Sequence, residues 1–174
     1  MNTYDMITEV LKREGWDKYT NHPEDRGGPT KWGITLKAWS EYIDRQATAA
    51  DVAAITETNA RIFYQKEYVL KPNFDMIEDE SLRELVVDCG VNHGVYRAAK
   101  WLQLAAGVIQ DGKVGPKTLE AVNTADAFDL RLRIIAYRIK LYGKLVTKDP
   151  TQAKFAWGWN NRAASFLLTM SGED

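Results

Sequence analysis

Glu14 is the first residue of the chain whose type and position suggest chemistry. It falls four residues after Val10 and seven after Ile7, on the side of a helix where Ile7, Val10 and Leu11 recur, while Glu9 falls on the opposite face. A carboxyl group at the buried end of an apolar stripe has its charged form disfavoured, which raises its pKa and suits it to donate a proton near neutral pH. The plainer reading is a carboxylate that caps a loop or pairs with Lys12, Arg13 or Lys18. A second carboxylate follows in Asp25, directly before Arg26-Gly27-Gly28-Pro29-Thr30 and Trp32-Gly33-Ile34-Thr35. This stretch is too rich in glycine and proline to continue a helix and suits a turn and a short strand, which can bring an acid and the Thr30 hydroxyl over the end of the first helix. An apolar helix face and a polar loop separate the pKa values of two such carboxyl groups, so that one can stay protonated and the other ionised. Trp16, Tyr19 and Trp32 flank the loop and read equally as lining a cleft or as core.

The elements that must position these groups read as helices almost throughout. Asn2 or Thr3 caps the first helix and Gly15 ends it. Thr35 caps a second carrying Leu36, Trp39 and Ile43; Asp51 caps a short turn; Thr56 caps a helix with Ala60, Phe63 and Tyr64 on one face, ended by Pro72. Leu82, Leu85, Val86 and Cys89 form the next stripe, closed by Gly94, and Ala98, Trp101, Leu102 and Ala105 the one after, closed by Gly107. Asp111-Gly112 is a turn, Gly115-Pro116 starts another helix, Asp126 caps a long one broken at Pro150, and the last runs from about Thr151. Strand signal is confined to residues 16–35. The expected fold class is all-α with a small β-hairpin, organised as residues 1–75 and 76–174. Arg133, Lys140 and Lys144 form a row on the long helix that reads as a solvated face or, more sharply, as a contact for an acidic polymer; Trp101, Trp157 and Trp159 read as core.

A net charge of −1 over 174 residues supplies no basic field for nucleic acid. One cysteine excludes an internal disulfide, and Cys89 reads as a packed thiol rather than a nucleophile. His22 and His93 lack zinc spacing, so neither a metal nor a cofactor is expected. The N-terminus lacks the basic start and apolar core of a cleavable signal, and no segment approaches a membrane span. The expectation is a monomer made in the cytoplasm, with release by another route if its substrate lies outside the membrane.

Glu14-Gly15, the Pro23, Asp25, Gly27-Gly28, Thr30 series and Gly33-Ile34-Thr35 resemble the signature of glycoside hydrolase family 108, the N-acetylmuramidases of the lysozyme superfamily. Asp88, Val91-Asn92, Gly94, Ala98, Trp101-Leu102-Gln103, Asp111-Gly112, Gly115-Pro116 and Thr118-Leu119 are similar to the peptidoglycan-binding region that follows in that family, and Phe155, Gly158-Trp159 and Asn161-Arg162 to its closing helix. The resemblance implies a lysozyme-like muramidase that cleaves the β-1,4 bond between N-acetylmuramic acid and N-acetylglucosamine. Glu14 would be the general acid, Asp25 and Thr30 its catalytic partners, and Trp16, Tyr19, Trp32, Thr35 and Asn92 substrate contacts. Three departures stand out: Trp16 occupies the place of a second glycine, the loop between Gly15 and Pro23 is longer, and Arg26 and Pro29 replace small or rigid neighbours, so that Asp17 or Glu24 competes with Asp25 as the second carboxylate. A lytic transglycosylase and a non-catalytic peptidoglycan-binding protein are the rival readings. The biological role implied is that of a phage endolysin, released through a holin-like route, or of a bacterial muramidase associated with protein secretion.

Overall fold

The computed structural model describes residues 2–21 and 28–171, and the chain divides into two compact units, Met1–Lys71 and Pro72–Asp174. As the sequence implies, the described residues are mostly helical with a small antiparallel sheet.

In the first unit, helix α1 (Thr3–Arg13) starts where Asn2 accepts a hydrogen bond from the Asp5 amide, and it buries Met6, Ile7, Val10 and Leu11. It ends by a left-handed step: Gly15 has φ +90° and Trp16 φ 54°, and the Trp16 amide bonds back to Leu11 O. The position at which glycine is usual is thus one of positive φ, and Trp16 adopts it at a cost of about 1–2 kcal/mol. Strands β1 (Tyr19–Thr20), β2 (Thr30–Lys31) and β3 (Ile34–Thr35) form a three-stranded meander where a hairpin was expected. The register sets Thr20, Thr30 and Thr35 across from one another on one face, and Tyr19, Lys31 and Ile34 on the other. Helix α2 (Leu36–Tyr42) is capped by Thr35 as expected. Helix α3 (Ala49–Ala53) corrects the reading of Asp51: Thr48 is the cap, and Asp51 sits three residues on as the reciprocal half of a capping box. Thr56 and Asn59 repeat that device for α4 (Glu57–Tyr64), which runs on into a π-helical turn, Gln65–Leu70, that periodicity did not foretell.

The second unit holds α5 (Glu80–His93), α6 (Val95–Ala105), α7 (Pro116–Thr124), α8 (Ala127–Lys148) and α9 (Ala153–Ser171). Gly94 (φ +88°), Pro116 and the Asp126 cap punctuate them as the sequence reading has it. Three of these helices meet on one buried charge. Asp88 on α5, fully buried, accepts from Arg138 Nη1 on α8 at 2.7 Å and pairs with Arg162 Nη2 on α9 at 2.9 Å. Arg138 Nε continues the chain to Tyr142 Oη, which lies 3.3 Å from His93 Nε2. Burial, with Arg138 and Arg97 adding to it, pushes the His93 imidazole down to about 4, so it is neutral at physiological pH. Burial likewise pushes the Cys89 thiol up to about 12, in keeping with a packed, unreactive side chain. Trp157 departs from expectation: it is 77% exposed rather than core, while Trp101 and Trp159 are half-buried.

Candidate active site

Glu14 is the C-cap residue of α1, half-buried, with its amide bonded to Val10 O. Its stem is seated against a tight turn. Trp32 (φ 56°) and Gly33 (φ +75°) are the two central residues between β2 and β3, the positive-φ pair of a type I′ hairpin. A Cβ at Gly33 would lie 2.8 Å from Glu14 Cβ and 2.7 Å from Tyr64 Oη, so only a hydrogen at that position leaves room for the acid. Three bonds hold the turn from behind: Tyr64 Oη donates to Trp32 O at 2.8 Å, Trp32 Nε1 to Ile55 O at 3.0 Å, and Lys31 Nζ to Ala53 O at 2.8 Å.

Tyr64 and Tyr68 stand one helical turn apart with ring centroids 5.4 Å apart. Burial first, and then the negative charges of Glu14 and Glu67, hold the Tyr68 phenol above its ordinary pKa. The group in the field of Glu14 is therefore a protonated hydroxyl, able to donate a hydrogen bond and unable to compete as a base. Sequence reading took Tyr64 as a core residue and passed over Tyr68. The available signal was two phenols at i, i+4, obscured because Tyr68 lies inside the π-helical turn.

Thr30 begins β2, half-buried, with its hydroxyl donating to Gly28 O at 3.3 Å, and Thr35 is committed to capping α2. Trp16 and Tyr19 are 36% and 41% exposed, available to a ligand. Trp32 is not: at 5% exposure it is part of the core, and it meets Trp16 edge-on at 5.6 Å. Of the rival second acids, Asp17 lies exposed in the turn after α1, whereas Glu24 and Asp25 fall outside the described residues. Asn92 is exposed near the end of α5, in the other unit. Among the described residues no cluster of three or more histidine, cysteine or acidic side chains could hold a metal, and no helix is long and apolar enough to cross a membrane.

Comparison with known proteins places the chain in a family and matches its fold. Residues 7–94 match the model of the family Glycosyl hydrolase 108, and residues 97–164 match that of a Predicted Peptidoglycan domain. A solved structure of Brucella abortus SagA is 31% identical and superposes with a TM-score of 0.80, covering 94% of this chain and 90% of that one. No curated protein matches the chain. With a family model spanning half its length and a structural relative spanning nearly all of it, the chain belongs to glycosyl hydrolase family 108 and is a peptidoglycan hydrolase.

Proposed function

We propose that the chain is an N-acetylmuramidase that hydrolyses the β-1,4 bond between N-acetylmuramic acid and N-acetylglucosamine, with Glu14 as general acid. The observation that carries this is the seat of Glu14, a carboxyl group at a helix end against the Gly33 turn, with the protonated Tyr68 phenol within its electrostatic field. Glu14 gives its proton to the glycosidic oxygen as the C1–O bond breaks, and positive charge develops on the ring carbon. A water held by the Thr30 hydroxyl then adds to C1, and a loop carboxylate takes its proton. Asp25 is that carboxylate by the family resemblance, with Asp17 and Glu24 as the rivals to be separated by substitution. Trp16 and Tyr19 offer ring faces to the sugars, and Trp32 supports Trp16 from beneath. The enzyme acts on peptidoglycan in the cell wall or periplasm.

Glu14→Gln tests the assignment, because it keeps the size of the side chain and removes the transferable proton. Wall clearing should fall by roughly two to four orders of magnitude, the usual contribution of a positioned acid. The thermal midpoint should hold, since the amide keeps the contact with the turn. A destabilised variant that stays active per folded molecule would make Glu14 a structural cap. Product mass separates the rival chemistry, as a transglycosylase leaves an anhydro end group without the added water.

A further inference from the structure

The unit Pro72–Asp174 carries a concave, basic and aromatic surface that the catalytic reading does not use. Two adjoining cavities, of about 460 Å³ and 230 Å³, lie along α6 and α8 and share Arg97, Trp101 and Leu104. Arg97 and Lys100 line one side from α6, and Lys140 and Lys144 the other from α8, with Tyr96, Trp101 and Tyr137 among the aromatic members and no carboxylate in either lining. Lys140 and Lys144 belong to the row that the sequence left between a solvated face and a polymer contact.

The solvated reading fits other cations of the molecule better than it fits these. Lys12, Lys37, Arg61, Lys71 and Arg133 each pair with a carboxylate three or four residues before or after on their own helix. Among the described residues, none of Arg97, Lys100, Lys140 and Lys144 has an acidic partner within ion-pair distance; Lys100 instead lies 5.5 Å from the centre of the Tyr96 ring. Four unneutralised cations that converge on one concavity repel one another, a cost recovered when an anion enters. The ring faces add affinity for the apolar side of a sugar. The backbone is built to present them: Gly112, with φ +76°, passes so close to Tyr96 that a Cβ would overlap the ring, and buried Gln103 fixes that turn by accepting from the Gly112 amide and donating to Asp111 Oδ1 and Lys113 O.

We propose that this groove binds the free carboxylates of peptidoglycan stem peptides, with the adjoining sugar against Trp101 or Tyr96, and so holds the chain on peptide-bearing glycan. The proposal rests on the reading of the chain as a peptidoglycan hydrolase and gives that polymer a second point of contact. All four cations and Trp101 fall within residues 97–164, the part matched by the peptidoglycan domain.

The test is retention of the full chain, on ice and before digestion, by beads carrying soluble glycan strands. One set of strands keeps its stem peptides, one has them removed, and a third bead carries a phosphate-rich wall polymer instead. The parent should bind peptide-bearing strands about tenfold tighter than stripped ones, and the gap should close near 1 M salt, where the screening length falls to about 3 Å. Lys140→Glu/Lys144→Glu should erase that preference, while Lys140→Arg/Lys144→Arg retains it and shows that charge, not fold, was lost. Equal binding to stripped and peptide-bearing strands, tighter binding to the phosphate polymer, or indifference to charge reversal would each overturn the proposal. Retention does not depend on which carboxylate cleaves the glycan, so failure of the Glu14 assignment is read separately.

Discussion

Gly33 shows how one residue without a side chain can matter to an acid that lies far from it in sequence. Its positive φ disfavours any L side chain, and its missing Cβ is the space in which Glu14 and the Tyr64 hydroxyl sit. Gly33→Ala should therefore do two separable things. The strained backbone should cost about 1–3 kcal/mol of stability. Displacement of Glu14 should lower hydrolysis per folded molecule on the order of a hundredfold, the scale of effect of an ångström-level misplacement. Thermal unfolding and wall-clearing rates measured on one preparation check both. Full activity per folded molecule, with only the midpoint lowered, would mean that the turn does not aim the acid. Trp16 and Trp32 illustrate the opposite case, two tryptophans at positive φ whose ring contact at 5.6 Å helps offset the backbone cost.

Between elements, the turn after α6 is the counterpart of the turn between β2 and β3. Both are glycine turns at positive φ against which an aromatic or acidic side chain rests, and both are pinned by a buried side chain, Gln103 in one and Tyr64 in the other. If Gly112 exists to seat Tyr96 in the basic groove, Gly112→Ala should weaken retention on peptide-bearing strands several-fold, and Tyr96→Ala should do the same. The double variant should be no worse than either alone, because both remove one ring from one place. Additive losses, or a Gly112→Ala chain that binds like its parent, would show that the turn serves packing alone. The Asp111-Gly112 turn itself was legible in the sequence; the residue it seats was not, since Tyr96 and Gly112 meet only when the chain has folded back after α6.

In the molecule as a whole, the unit Pro72–Asp174 is organised around the buried Asp88, where charges from α5, α8 and α9 meet. Removing the acid strands Arg138, which is fully buried, and Asp88→Ala should cost about 3–5 kcal/mol. For a chain of this size that is a fall of roughly 6–20 °C in thermal midpoint. Adding Arg138→Met should recover part of the loss, because it removes the one fully buried cation that faced the acid. Urea unfolding of the two variants beside the parent decides it, and a single Asp88→Ala change without effect would show the network to be incidental.

What the sequence determined by itself is what depends on neighbours along the chain. The caps at Asn2, Thr35, Thr56 and Asp126, the stops at Gly15 and Gly94, and the apolar stripe of α1 follow from hydrogen bonds and spacings within a few residues, so they are read from order alone. Glu14 was singled out by the same local argument. Tertiary structure alone decided the rest: that Trp32 is buried rather than facing a cleft, that Trp157 is exposed, that Tyr68 lies in the field of Glu14, and that Asp88 is the meeting point of three helices. These depend on which faces meet across tens of residues, and periodicity gives each element an inside without naming what stands there.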